Sequence, residues 1–182
     1  MAISRRRFFF DSTNTIDIEL IDSPEKLLQF AEQKGITLYP LDVERLAKEM
    51  GINVQYVDFV DDDLSGVLIK NPDCDLWTIK VNQHHHVNRR RYTIAHEIGH
   101  YCRHKQLQDE FKDQVFFRSS ESSKIEWQAN EFASNLLIPE QVFRQKINEG
   151  VTSIEKLANF FGVSTLALRI RAKKLNFNGH GL

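Results

Sequence analysis

The sequence predicts an α+β fold: a small antiparallel sheet of about three strands packed on a helical core, followed by a helical C-terminal subdomain. Three observations carry this. Apolar residues recur at helical spacing from 24 to 50 and again from 87 onward. Between these stretches the chain switches to β-branched and aromatic runs separated by turn residues. The length, 182 residues with 41% hydrophobic and 27% charged, suits one packed domain with at most a small appendage.

The elements follow in order. Ser4-Arg5-Arg6-Arg7-Phe8-Phe9-Phe10 superficially resembles a twin-arginine export signal. Such a signal continues into an apolar stretch of roughly 7–15 residues, whereas here Asp11-Ser12-Thr13-Asn14 follows. Residues 1–22 are therefore read as a flexible or edge-pairing flank. Two cysteines, Cys74 and Cys102, are too few for a disulfide framework and fit a reducing cytoplasm. No apolar run approaches the ~18 residues of a bilayer span. A net charge of −1 gives no global attraction to nucleic acid or a membrane surface.

Ser23 is placed to cap a helix with Pro24 at its first position; Leu27, Leu28, Phe30 and Ala31 form its apolar face and Gly35 ends it. Pro40-Leu41-Asp42 opens a second helix with Val43, Leu46, Ala47 and Met50 inward and Gly51 as the stop. Ile52–Val60, Gly66–Lys70 and Leu76–Val81 read as strands, separated by Asp61-Asp62-Asp63 and Asn71-Pro72-Asp73. A long helix is expected from about Val87 to His104, then a stretch, 105–124, without clear period. Another helix runs from about Ile125 to Ile138, where Pro139 interrupts it. Helices at about 140–149, 153–161 and 165–175 complete the chain. The division is a flank (1–22), a core (23–138) and a helical C-terminal subdomain (139–182).

His96-Glu97-Ile98-Gly99-His100 matches H-E-x-x-H. Residues four apart share one helix face, so two imidazoles can hold one ion while the adjacent carboxylate reaches a bound water. With 7 histidines and 13 glutamates in the chain, a shuffled sequence would contain the pattern about 2% of the time, so the bare motif is a hypothesis. The competing reading is a pair of histidines that merely hydrogen-bond. A catalytic zinc needs a third protein ligand and an open position. Glu126 is the best source. It lies on the core-facing side of a helix whose apolar positions are Ala129, Phe132, Ala133, Leu136 and Leu137, where an unpaired carboxylate is costly. The alternative is an ordinary surface or capping carboxylate. Asn130, one turn on, could accept from the ring N–H of a liganding histidine. The donor set also suits manganese or iron.

Tyr92, Tyr101, His104 and Arg118 are candidates for a second oxyanion donor. His104 continues the His96–His100 face and reads as a supporting or substrate group, or as a helix-end cation, because a ligand a further ~6 Å along the axis would strain the geometry. His84-His85-His86 reads as a solvated loop, and His180 lies in the tail.

With these segments in place, the chain resembles the ImmA/IrrE family of metallopeptidases over about residues 24–176. Arg89-Arg90-Arg91-Tyr92-Thr93-Ile94-Ala95-His96-Glu97-Ile98-Gly99-His100-Tyr101 is similar to the family's core signature. Glu126-Trp127-Gln128-Ala129-Asn130-Glu131-Phe132-Ala133, running into Leu136-Leu137-Ile138-Pro139, is similar to its second. Val43–Ala47 with Gly51-Ile52, Ser65-Gly66 and Ile79–Asn82 look like the family's first helix and sheet. The resemblance implies a zincin-type, gluzincin-like core and a zinc endopeptidase in which Glu97 is the general base. Glu126 maps onto the third ligand. Related enzymes often carry Asp where Asn130 stands, which leaves less charge to steady an imidazolium. The substrate class implied is a helix-turn-helix repressor, cleaved so that the genes it silences are released.

Ile154–Leu168 looks like a helix-turn-helix, with Thr152 and Glu155 fitting a capping box, Gly162 supplying the turn and Ser164 capping the next helix. Arg169, Arg171, Lys173 and Lys174 form a basic end without an acid, which admits a second hypothesis: a DNA-binding regulator using residues 153–175, with a structural or vestigial metal site. The near-neutral net charge and the apolar character of Leu166–Ile170 favour the plainer reading, solvated cations on a helix pair packed against the core. A third hypothesis is a toxin–antitoxin component held by a repressor-like partner. Finally, residues 105–124 must pass near the metal, and Val115-Phe116-Phe117-Arg118 is expected to form part of the substrate cleft as a lid. The alternative is that Phe116 and Phe117 pack under the sheet.

Overall fold

The computed structural model describes residues 16–61, 64–112 and 120–177. After a short 3-10 turn at Ile18–Leu20 come α1 (Pro24–Gln33), α2 (Val43–Glu49), β1 (Asn53–Val57), β2 (Gly66–Lys70), β3 (Trp77–Asn82), α3 (Val87–His104) and β4 (Glu110–Lys112). The chain then continues through α4 (Ser120–Leu137), α5 (Glu140–Asn148), α6 (Ile154–Phe161) and α7 (Thr165–Lys174). The α+β class stands. Local chemistry sets most ends. The Ser23 hydroxyl accepts from the Lys26 amide above Pro24, and the Asp42 carboxylate accepts from the Arg45 amide. Gly35 and Gly51 follow α1 and α2 with φ of 62° and 76°, the left-handed region that glycine enters without penalty.

The sheet corrects the expectation of an all-antiparallel trio. It has four strands in the order β1-β3-β2-β4 and is mixed. β1 pairs parallel with β3 (Val54 opposite Ile79), while β2 and β3 form an antiparallel hairpin (Leu68 opposite Ile79). The hairpin inserts its second strand beside β1. Period-2 alternation identifies a strand but carries no information on its neighbour or direction. β4 lies inside the stretch read as having no period; it is three residues long and pairs with β2 through Leu68 and Phe111. α4 likewise starts at Ser120, earlier than the expected Ile125, so the connection across 105–124 is shorter than its sequence suggests.

A continuous hydrophobic cluster runs from Ile21 and Leu27 through Leu68, Ile79, Ile94 and Ile98 to Phe143, Phe161 and Leu175, so α5, α6 and α7 share a core with the sheet and α3. The cap of α6 is Ser153, not Thr152: its hydroxyl accepts from the Lys156 amide and donates to the Glu155 carboxylate, and with Lys156 at the third helical position the expected Thr152–Glu155 capping box is not formed. Ser164 caps α7 as expected.

The turn between α6 and α7 is pinned to α3. Arg91 Nε donates to the Gly162 carbonyl at 2.9 Å and its Nη2 to the Leu41 carbonyl at 2.8 Å, while Asn88 Nδ2 donates to the Val163 carbonyl at 3.0 Å. Gly162 has φ of 64°, and a Cβ there would stand 2.7 Å from Pro40 Cβ and 2.9 Å from the Arg91 guanidinium. Gly162→Ala is therefore expected to cost at least about 1–2 kcal/mol from the left-handed backbone alone. Urea unfolding measures it, and an unchanged midpoint would mean that the α6–α7 turn contributes nothing to the fold.

Candidate metal centre

α3 and α4 approach closely because the residues between them are small. A Cβ on Gly99 would lie 3.1 Å from Phe132 Cβ and 3.2 Å from the Ala129 carbonyl oxygen. That approach brings His96 and His100, one turn apart on α3, against Glu126 on α4. His96 Nε2 and His100 Nε2 stand 3.0 Å apart, and the two oxygens of Glu126 stand 3.2 Å from His96 Nε2 and 3.4 Å from His100 Nε2. Among the described residues this is the one group of three or more His, Cys, Asp or Glu side chains able to hold a metal ion. The donor set fits a divalent cation: ligand atoms about 2 Å from a tetrahedral ion stand roughly 3.3 Å from one another.

Both histidines are buried, while the Glu126 side chain keeps about a quarter of its exposure (26%), so the site opens toward solvent on the α4 side. Burial pushes the His100 imidazolium down to about 4. Burial alone would raise Glu126, but hydrogen bonds from His100 and His96 outweigh it and hold the carboxyl at about 2. At neutral pH the pair is thus an imidazole and a carboxylate, the forms that ligate metal.

Glu97 is fully buried on α3. Gly66 on β2 makes the space for it: a Cβ there would lie 3.1 Å from Glu97 Oε1 and 2.4 Å from Thr93 Cγ2. Asn130 lies one turn beyond Glu126 on α4. Its side-chain oxygen accepts from the Tyr92 hydroxyl at 3.2 Å, and its Nδ2 donates to the Glu126 carbonyl. The ring nitrogen of His100 that faces away from the cluster meets His104, Nδ1 to Nδ1 at 3.2 Å, and His104 Nε2 meets Gln128 Oε1 at 3.0 Å. His104 is 3% exposed, and burial lowers its pKa.

Of the oxyanion candidates, Tyr101 is buried edge-on against Trp77 with Lys105 over its ring, which commits it to packing. Tyr92 lies one turn before His96 with its hydroxyl on Asn130. Phe116, Phe117 and Arg118 lie outside the described residues, as does His180. In the histidine run, His84 pairs with Asp58 at the surface and His86 caps α3.

Three supporting residues escaped the sequence reading. Phe111 stacks on His100 with centroids 4.7 Å apart; Gln128 closes the His100–His104 chain; Gly66 makes room for Glu97. Only Gln128 left a trace, as a polar residue two places after a suspected ligand.

Tyr92 and Asn130 also line a groove of about 630 Å³ between α3, α4 and α7. Ser134, Ile138, Leu166 and Ile170 line it; Leu166 and Ile170 are 66% and 52% exposed. The basic end of α7 is partly spoken for. Arg171 is buried and donates to the Ile138 carbonyl at 3.1 Å, and Lys174 pairs with Glu131. No helix among the described residues is long and apolar enough to cross a membrane.

The model of the IrrE N-terminal-like domain of peptidase M78 matches residues 47–173, which include every member of the cluster. The metallopeptidase ImmA of Bacillus subtilis (strain 168) is 29% identical over 116 residues. That match covers 61% of this chain and 66% of the relative, so the chain spans just under two thirds of the relative's length.

Proposed function

The chain belongs to the peptidase M78 family, and on that premise we propose that it is a zinc-dependent endopeptidase whose metal is held by His96, His100 and Glu126. The observation that carries the reading is the convergence of two imidazole nitrogens and one carboxylate within 3.0–3.4 Å at the junction of α3 and α4. Zinc bound there would supply Lewis acidity and bring the pKa of water near neutrality; manganese and iron would suit the same donors. The chain's own residues do the rest. Glu97 accepts a proton from the attacking water on its carboxylate and delivers it to the leaving amine. Burial keeps that carboxylate away from bulk solvent and in place beside Gly66. Tyr92 is the remaining described oxyanion candidate whose hydroxyl lies beside the groove.

We read 23–138 as a zincin-type peptidase core and 139–182 as a helix-turn-helix-like subdomain that packs on it, in a cytoplasmic protein. The proposed substrate is a protein, a helix-turn-helix repressor, bound with an apolar segment in the groove beside Tyr92. Engagement of Arg171 and Lys174 within the chain weighs against direct DNA binding by α7. The direct test is incubation with the repressor encoded beside this protein, with and without zinc, and mass spectrometry of the products. Metal-dependent fragments are expected; an intact repressor with fully zinc-loaded protein would overturn the substrate.

The groove makes a separate prediction. Leu166→Asp with Ile170→Asp should raise KM for the protein substrate several-fold. It should also leave stability within about 0.5 kcal/mol, since both side chains are largely exposed. An unchanged KM would remove the groove from substrate binding.

A further inference from the structure

We infer that Gln128 and His104 are positioning residues for the metal: through hydrogen bonds they set the tautomer of His100 so that its Nε2 presents a lone pair to the cluster. The inference rests on the metal reading above and adds residues that the ligand set does not contain.

The argument follows the protons. Gln128 turns Oε1 toward His104 Nε2 at 3.0 Å. A carbonyl oxygen only accepts, so His104 Nε2 carries the hydrogen. A neutral imidazole has one donor and one acceptor nitrogen, so His104 Nδ1 is left as an acceptor. It faces His100 Nδ1 at 3.2 Å, and that nitrogen must therefore donate. His100 Nε2 is then unprotonated, and it is this atom that lies 3.0 Å from His96 Nε2 and 3.4 Å from Glu126. Each link admits one arrangement once the amide end is set. No proton is gained or lost along the chain; only its position is fixed.

Burial keeps the chain single-valued. His100 and His104 are 0% and 3% exposed, so water cannot readily supply a substitute partner. Phe111 stacks on His100 at 22° and lies 6.2 Å from His104, which holds the planes of both rings. The opposite tautomer would point N–H into the cluster from His100 and occupy the lone pair a metal needs. A liganding histidine commonly gives its other N–H to a carboxylate or carbonyl; here the partner is a second imidazole, itself anchored by an amide on the helix that carries Glu126.

The test uses the full chain with 15N-labelled histidine. In metal-free wild type, nitrogen shifts should report the Nδ1–H form for His100 and the Nε2–H form for His104. Gln128→Leu removes the acceptor at a half-buried position; both rings should become tautomer mixtures, and zinc affinity measured against a chelator should fall about 10- to 100-fold. Gln128→Glu, which can only accept, should keep the wild-type tautomers and hold affinity within a few-fold or raise it. The inference is overturned if Gln128→Leu leaves shifts and affinity unchanged, or if Gln128→Glu loses as much as Gln128→Leu. A wild-type chain that takes up no zinc would sink the metal centre itself, while the nitrogen shifts would still decide the relay.

Discussion

Glu97→Gln is expected to lower peptide-bond cleavage by at least about 100-fold, the lower end for a positioned acid–base group, while zinc content and unfolding midpoint stay near wild type. The amide matches the carboxylate in shape, so the pocket beside Gly66 and Thr93 remains filled. What it lacks is a site that takes a proton from water and returns it to the departing amine. Because Glu97 lies outside the cluster of His96, His100 and Glu126, metal uptake should not change. Cleavage assays with the repressor, paired with elemental analysis, separate the two effects. Full activity in the variant would remove Glu97 from the mechanism and favour the regulator reading, in which the site is structural or vestigial.

Glu126→Ala should act on the metal rather than on the proton. It deletes one of three protein donors, so zinc affinity should fall by more than the 10- to 100-fold typical of a supporting residue, and activity should fall with it. The stability cost should be the smaller effect, because the Glu126 side chain is a quarter exposed. Competition with a chromophoric chelator gives the affinity directly. A variant that holds zinc as tightly as wild type would place the third ligand elsewhere, on His104 or within residues 105–124.

Much of the site was legible in the sequence because it depends on local geometry. Residues four apart on a helix share a face whatever surrounds them, so His96 and His100 could be paired before any fold was known. The ends of α3 at Val87 and His104, the caps at Ser23 and Ser164 and the turn at Gly162 follow from the same short-range hydrogen bonding. Glu126 was reachable because its helical face could be read from the apolar positions that follow it.

Tertiary structure decided the rest. Insertion of β3 between β1 and β2, and the pairing of the three-residue β4 with β2, depend on which backbones meet across long separations. No alternation of side chains encodes that. Asn130 meets the Tyr92 hydroxyl, a contact the sequence did not suggest, and the second ring nitrogen of His100 meets His104, anchored by Gln128 across 24 residues. Arg171 and Lys174 looked like a free basic face and are engaged by Ile138, 33 residues away, and Glu131, 43 residues away. In sequence, then, lie the helices, their ends and the spacing of the metal donors, because backbone hydrogen bonds and side-chain periods act over a few residues. Which buried polar group satisfies which other one is settled only when distant segments pack, because the high cost of leaving such a group unsatisfied selects a partner from whatever the fold brings within 3 Å.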